Sequence, residues 1–143
     1  MGLESILATT DISSSGLAAE RLRMEVIANN IANAHTTRDA RGGPFRRQEV
    51  VFRAAFDQAG FAAESPRGVQ VVAVQPDQGE LPRVYRPGHP DADGDGFVTL
   101  PNVQIPNEMV DLMTASRGYE ANLRVLRSFR DMANNTLDIL RGA

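Results

Sequence analysis

The sequence predicts an α+β fold in which long N- and C-terminal helices pack as a coiled-coil-like pair, with a small β-rich region between them in the chain. Three observations predict it. Apolar residues recur at helical spacing at both ends, all but one of the 8 prolines lie between residues 36 and 104, and this middle stretch carries short runs of β-branched residues. We therefore expect an N-terminal helix over 1–35, a β-rich middle region over 36–104 and a C-terminal helix over 105–143.

The N-terminal helix is predicted from apolar residues that return every three or four positions. The Ser-Ser-Ser-Gly stretch at 13–16 weakens the pattern, since serine and glycine are poor helix formers. We expect either one long helix with a soft spot there or two shorter pieces. The apolar stripe predicted to contact another helix comprises Leu17, Met24, Ile27 and Ile31.

Three asparagines lie close together near the end of this helix. Asparagine is a mediocre helix former, so three of them bring no advantage to an isolated surface helix. Two interpretations stay open. Asn29, Asn30 and Asn33 could set the register of a subunit interface through their hydrogen bonds, as a buried asparagine does in a coiled coil. Alternatively, the run is the frayed last turn of the helix.

Four strands are predicted in the middle region. Residues 45–52 and 68–74 are rich in β-branched residues, and residues 81–85 and 96–100 are shorter candidates. Turns rich in glycine and proline separate them. About 70 residues of such material bury little core, so we expect this region to be only marginally stable alone.

The C-terminal helix has the strongest pattern. No proline follows Pro106, and apolar positions alternate in steps of three and four, with interruptions at Ser116 and Arg130. This heptad pattern fits an amphipathic helix on the chain's own core, or a helix that pairs with one from this or another subunit. Its length favours pairing. The predicted subunit-contact stripe comprises Met109, Leu112, Tyr119, Leu123, Leu126, Leu137 and Leu140.

Composition excludes several classes of protein. The net charge of −3 and the absence of a clustered basic surface predict no nucleic-acid partner. The chain has no cysteine, which removes disulfides and thiolate chemistry. No apolar run approaches the ~20 residues of a membrane span, and the N-terminus lacks the features of a cleavable signal peptide. Nothing supplies a nucleophile–base pair, so we predict no enzyme activity and no cofactor.

The stretch HPDADGDGFVTLPN, residues 89–102, resembles the start of a calcium-binding loop. Asp91, Asp93 and Asp95 alternate and Gly96 follows, as the first half of such a loop requires. Position 12 of the loop would be Asn102, which cannot replace the bidentate glutamate. A local turn is therefore favoured and no metal site is predicted. A soluble calcium- or ligand-binding module that uses this loop remains the alternative function.

Four blocks of sequence carry a resemblance to a known family. SGLAAERLRMEVIANNIANAHTT, residues 15–37, resembles the N-terminal signature shared by rod, hook and hook-associated proteins of the bacterial flagellum. GGPFRRQEVVF (42–52), YRPGHPDADGDGFVTLPNV (85–103) and the long block at 107–140 resemble one branch of these axial proteins, the proximal-rod FlgC family. The blocks occur in the family's order and cover nearly the whole chain.

The resemblance implies a structural subunit of the flagellar basal-body rod with neither enzyme activity nor a metal. In this family the terminal helices of neighbouring subunits form a hollow drive shaft, which crosses the periplasm, transmits torque and passes exported subunits. The implied partners are copies of the chain, other rod proteins, the protein at the MS-ring/rod junction and the type III export apparatus. Export without a cleaved signal peptide is implied as well.

Overall fold

The computed structural model describes residues 3–40, 42–56 and 66–141, with side chains described from residue 9 to residue 139 apart from residue 66. Helix α1 spans Leu3–Ala32 and helix α2 spans Ile105–Arg141. Between them lie two small antiparallel sheets, so the predicted α+β fold with long terminal helices is confirmed. Helix α2 begins with Pro106 in its first turn, where the missing N–H of proline costs no hydrogen bond.

The larger sheet is a hairpin of two long strands, β1 (Gln48–Phe56) and β2 (Pro66–Pro76). Two register shifts, between Val51 and Phe52 and between Ala55 and Phe56, bend it. The smaller sheet pairs β3 (Arg83–Tyr85) with β4 (Phe97–Thr99). All four strands were predicted, but β1 begins three residues later than expected. Residues 45–47 are drawn into other bonds: Phe45 N–H donates to Thr36 O, and Arg47 N–H donates to Asn102 Oδ1.

Helix α1 lies between helix α2 and the β1–β2 hairpin and contacts both. It runs without interruption through the Ser-Ser-Ser-Gly stretch, where one long helix or two pieces were expected. The short side chains of this stretch let neighbouring elements approach the helix closely. Ser13 is buried, and the Ser15 hydroxyl donates to Ile12 O at 2.8 Å and accepts from Val69 N–H at 3.0 Å.

Gly68 of β2 sits directly on this part of α1. Its φ of 120° is one that residues with a side chain rarely adopt, and a Cβ placed there would lie 2.1 Å from Ser15 Oγ. No other residue fits without moving the strand off the helix. The hairpin is therefore attached to α1 near its tip by Gly68 and at its base by contacts described below.

Two glycines set the register of the antiparallel helix pair. A Cβ on Gly16 of α1 would lie 2.9 Å from Asn122 Nδ2 of α2, and a Cβ on Gly118 of α2 would lie 3.2 Å from Glu20 Oε1 of α1. Each helix thus carries a glycine followed four residues later by a longer polar residue. In the antiparallel arrangement each glycine makes room for the polar residue of the other helix. We name this arrangement the reciprocal glycine contact.

The face of α2 that meets α1 differs by one residue from the predicted heptad. Leu112, Tyr119 and Leu126 are half-buried at the edge of this face. The positions that contact α1 include Glu108, Gly118 and Asn122. Glu108 and Ala115 are buried, whereas the predicted Met109 is 54% exposed. The shift explains the interruptions at Ser116 and Arg130, which lie one residue beyond the contact. Sequence periodicity missed it because a buried glutamate and small residues do not register as apolar positions.

Candidate assembly interface

Asn30 is fully buried where α1, β1 and α2 meet. Its Oδ1 accepts from Gln48 N–H at 2.8 Å, and its Nδ2 donates to Gln48 O at 3.0 Å and to Glu108 Oε2 at 2.9 Å. The side-chain amide thereby makes with Gln48 the pair of bonds that a residue of a neighbouring antiparallel strand would make. It fixes the base of the hairpin to the helix pair.

Glu108 is the second buried polar residue at this point, which we name the three-way junction (Asn30, Arg47, Gln48 and Glu108). Arg47 Nε donates to Glu108 Oε1 at 2.5 Å. Arg47 also pairs with Glu49, and its Nη2 lies 3.5 Å from Asp111 Oδ2. A buried carboxylate is costly unless it is paired and hydrogen-bonded, and both of its oxygens are bonded here.

Electrostatics at the three-way junction favour the charged guanidinium of Arg47. Partial burial by itself lowers the pKa of Arg47, but the hydrogen bonds and negative charges of Glu108 and Glu49 outweigh it, so the pKa is raised above its ordinary value. Sequence reasoning missed Arg47 and Glu108 because neither lies in an apolar stripe.

The other two asparagines end helix α1. Asn33 Nδ2 donates to Asn29 O at 3.0 Å, and Thr36 Oγ1 donates to Asn33 Oδ1 at 3.2 Å. Asn29 is exposed and Asn33 is half-buried. The asparagine run therefore contains both features that the sequence left open: a buried register-setting residue at 30, here within the chain, and a helix end at 29 and 33. A role for any of the three between subunits stays a prediction.

Most residues of the predicted contact stripes lie at the edges of the contact between α1 and α2. Ile27 is buried against the rest of the chain, and Met109 and Leu137 are more than half exposed. The side chain of Leu140 lies outside the described residues. The remaining stripe residues keep part of their surface in solvent: Leu17, Met24, Ile31, Leu112, Tyr119, Leu123 and Leu126.

Three residues of the α1 stripe face away from the hairpin. Leu17, Met24 and Ile31 are seven residues apart and so lie on one side of α1. Val26, which lines the groove between α1 and β1, is two residues from Met24 and therefore lies roughly on the opposite side. The helix pair thus has one flank covered by the hairpin and one flank with half-exposed apolar residues that nothing in the described chain covers.

The chain exposes far more surface than a compact protein of its size. Its accessible surface is 10362 Å². Compact monomers of 15.5 kDa expose about 7,200 Å². Among the described residues the buried apolar side chains are few and mostly small: Ala19, Ile27, Ala34, Val98 and Ala115. The surplus of about 3,000 Å² exceeds the roughly 800 Å² that each partner buries in a standard interface.

The acidic loop is a turn whose carboxylates bind neighbouring groups of the chain. Asp91 Oδ2 accepts from Thr37 Oγ1 at 2.8 Å, and Asp91 Oδ1 lies 2.9 Å from Arg38 Nη2. Asp93 Oδ1 accepts from the N–H groups of Asp95 and Phe97, and its Oδ2 pairs with Arg83. In the described ranges, no group of three or more histidine, cysteine or acidic residues is placed to hold a metal ion.

Asp93 is held in its charged form by this turn. The backbone N–H of Phe97 contributes most to lowering the pKa of its carboxyl, and the N–H of Asp95 and the charge of Arg83 add to it. Arg83 also lies over the ring of Phe97, whose centroid is 5.3 Å from that of Tyr85. The loop therefore secures the β3–β4 hairpin that leads into α2.

None of the helices, as far as the chain is described, has a stretch apolar enough to cross a lipid bilayer. Comparison with protein families gives two matches. Residues 11–38 match the family described as "Flagella basal body rod protein", and residues 95–139 match "Flagellar basal body rod FlgEFG protein C-terminal". Most of α1 and nearly all of α2 thus carry the sequence patterns of flagellar rod proteins.

Individual relatives extend the match to the whole chain. The flagellar basal-body rod protein FlgC of Borreliella burgdorferi is 40% identical over 99% of this chain and 100% of the relative. FlgC of Agrobacterium fabrum is 37% identical over 99% of both chains, and FlgC of Bacillus subtilis is 33% identical over 90% of this chain and 94% of the relative. The chain belongs to the FlgC family of flagellar basal-body rod proteins. The predictions of a structural, non-enzymatic rod protein are confirmed by this membership, and the calcium-module alternative is not supported.

Proposed function

We propose that this chain is a subunit of the proximal rod and that its paired terminal helices form part of the wall of a hollow shaft. The shaft crosses the periplasm, transmits torque and lets exported subunits pass. The proposed partners are copies of this chain, other rod proteins and the protein at the MS-ring/rod junction. Delivery through the type III export apparatus, without a cleaved signal peptide, completes the proposal.

The observation that carries this proposal is the uncovered apolar flank of the helix pair. Its residues comprise Leu17, Met24 and Ile31 of α1 and Met109, Leu112, Tyr119 and Leu123 of α2. Apolar side chains on a long helix pair with so small a core favour burial against other helices. The surplus of accessible surface supports the same conclusion, since a self-contained protein would have buried it.

The proposal can be tested by introducing a charged residue on the flank, at a position where the isolated chain tolerates the substitution. Met109 is 54% exposed, so Met109→Asp changes the stability of the isolated chain little. In an assembled rod the same aspartate would be an unpaired buried charge, which is strongly unfavourable. We expect normal expression of the variant and loss of at least tenfold in its recovery with purified basal bodies, together with loss of swimming.

Arg124→Asp is the matched control, because it places the same carboxylate on an exposed, charged side of α2. It is expected to keep basal-body recovery within about twofold, in line with the small effects of exposed substitutions. Normal motility and normal recovery of the Met109→Asp chain would rule out this flank as an assembly surface.

A further inference from the structure

The outer edge of strand β1, the one that is not paired with β2, is only partly covered by helix α1. At the base of the hairpin, Asn30 of α1 pairs with Gln48 on this edge. Near the tip, α1 instead contacts β2, where Ser15 Oγ accepts from Val69 N–H. The helix therefore crosses the hairpin obliquely, and beyond Gln48 none of the described side chains bonds to the backbone along the outer edge of β1.

Three residues beyond Gln48 present free backbone groups at this edge. In an antiparallel pair, alternate residues of a strand point their N–H and C=O groups to opposite edges. Gln48 points outward to Asn30, and both register shifts place their extra residue in β2, so the alternation in β1 is unbroken. Val50, Phe52 and Ala54 therefore point outward as Gln48 does. We name these three residues the free edge of β1.

A cleft of about 370 Å³ lies along the first part of the free edge. Its near wall includes Glu49 from one face of β1 and Val50 and Phe52 from the other, and its far wall includes Val26 of α1 and Asp111 of α2. Because successive side chains of a strand point to opposite faces, a cleft that is lined from both faces opens at the edge of the strand. The free N–H and C=O groups of Val50 and Phe52 are thus at the cleft.

The Asn30 side chain shows which chemistry this edge accepts. Its Oδ1 accepts from Gln48 N–H at 2.8 Å and its Nδ2 donates to Gln48 O at 3.0 Å, which are the two bonds of an added antiparallel strand. The next outward residue, Val50, lies about 7 Å further along the strand. A peptide backbone that continues from the Asn30 amide would repeat this pair of bonds at Val50 and at Phe52, which is binding by β-strand addition.

The cleft favours a single extended segment of a different protein. Its far side is walled by α1 and α2, which leaves room for one extended chain but not for the edge of a second sheet. Each of the four strands in the described part of the chain is already paired within a hairpin. The described residues of a second copy therefore supply no unpaired strand.

The charges at the cleft favour a basic residue in that segment. Ion pairs among the described residues join two guanidiniums to five carboxylates: Arg23 and Arg47 to Glu20, Glu49, Asp77, Glu108 and Asp111. Arg46, which binds backbone oxygens nearby, still leaves the carboxylates in excess. Arg53 lies toward the tip of the hairpin, so the negative excess is at the base, near Asp111. A positive side chain there complements this charge.

We propose that the free edge of β1 binds an extended segment of another basal-body protein by β-strand addition. The segment places apolar side chains beside Val50 and Phe52 and a basic side chain near Glu49 and Asp111. This inference rests on the proposed rod function and names the chemistry of one partner. It is separate from the flank of the helix pair, since it uses backbone groups of the middle region.

Proline substitutions at the two edges of the hairpin separate backbone pairing from the rest of the surface. Val50→Pro removes an outward N–H at the free edge, and the matched control Val74→Pro removes the outward N–H of its partner residue at the opposite edge. Neither N–H belongs to the ladder between β1 and β2, and proline is tolerated at such edge positions. Ala54→Pro is a second variant of the free edge. Circular dichroism of each isolated chain identifies the variants that keep the fold.

Photo-crosslinking reads out the contact. The full-length chain and its folded variants carry an epitope tag and a benzophenone amino acid in place of Phe52, and are produced in flagellated cells. After irradiation, peptide mapping of purified basal bodies is expected to join residue 52 to a segment of a different protein that contains a basic residue. The product should fall at least about fivefold in the two free-edge variants, in line with the loss of a hydrogen bond, and stay within about twofold in Val74→Pro.

Each outcome decides the matter. A product with a different protein that is lost only in the free-edge variants supports the inference. The inference is overturned by a product with another copy of this chain, by a product that the three prolines affect equally, or by no product from a chain that purifies with basal bodies. The rod function stands in all of these cases. Failure of the tagged wild-type chain to purify with basal bodies would instead overturn the proposed function, and this inference with it.

Discussion

At the scale of single residues, the most informative side chains are buried polar ones, which a search for apolar periodicity does not find. Asn30 and Glu108 are fully buried and polar, and each is bonded to groups on another element. The sequence around Asn30 offers a weak signal of a special role, because a run of asparagines does not favour a helix. Burial and bonding partners come only with the tertiary structure, which is why the sequence predicted a role for Asn30 but neither its partners nor Glu108.

Asn30→Ala is expected to lower the free energy of unfolding of the isolated chain by about 2–4 kcal/mol. The substitution leaves the N–H and C=O of Gln48 and one oxygen of Glu108 without their buried partner. Urea denaturation measures the change. Asn29→Ala is the control, since Asn29 is exposed, and should cost no more than about 0.5 kcal/mol. Equal losses for the two variants would show that the three-way junction does not hold the fold.

Asp93 gives a prediction on pH. Its pKa in the folded chain lies below the ordinary value near 3.9, so the stabilisation it provides is complete above that value. It is lost as the pH falls through the depressed pKa, when the carboxyl no longer accepts from Phe97 N–H. Amide exchange at Phe97, corrected for its intrinsic pH dependence, should therefore speed up only below about pH 4. Asp93→Asn should lack this transition, and an acid transition unchanged in that variant would argue against Asp93 as its source.

At the scale of elements, periodicity predicted the existence of both helices but not how they face each other. The buried positions Glu108 and Ala115 lie one residue before Met109 and Ser116 of the predicted heptad. The subunit-contact role of the predicted stripe stays a prediction. Small and polar residues set the contact: the reciprocal glycine contact and the buried Glu108. The signal that was present in the sequence is the repeated spacing of Gly16 to Glu20 and of Gly118 to Asn122.

Gly16→Leu is expected to lower the free energy of unfolding by about 1–3 kcal/mol, the usual cost of overpacking. Even a Cβ at this position would lie 2.9 Å from Asn122 Nδ2, so a leucine has to displace the Asn122 side chain from the helix contact. Thermal unfolding followed by circular dichroism measures the loss. Ser14→Leu is the matched control, because residue 14 is exposed on the same helix. The interpretation fails if leucine is tolerated equally well at both positions.

At the scale of the whole molecule, the two ends of the helix pair differ in how firmly they are held. The three-way junction fixes the end near residues 30 and 108, while all side chains from residue 130 to residue 139 are exposed. The sequence predicted two long terminal helices but did not distinguish the two ends of the pair. The end near residue 108 is held by long-range polar bonds that sequence patterns cannot reveal.

Hydrogen exchange on the isolated full-length chain should reveal this gradient. Amides of residues 109–116 are expected to exchange at least tenfold more slowly than amides of residues 130–138, because local opening is easiest where few buried contacts oppose it. Assembly into basal bodies should slow the second group. Uniform protection along α2 in the isolated chain would contradict the gradient and indicate a self-contained helix pair.

The reciprocal glycine contact also has an evolutionary consequence. Because Gly16 makes room for Asn122 and Gly118 makes room for Glu20, the two pairs should covary among homologues: a lineage that acquires a side chain at one member should shorten the residue opposite. Insertions or deletions between the two pairs and the three-way junction would have to occur in both helices together. Insertions or deletions that occur in one helix alone would break this register. Length differences between homologues should therefore be confined to the loops.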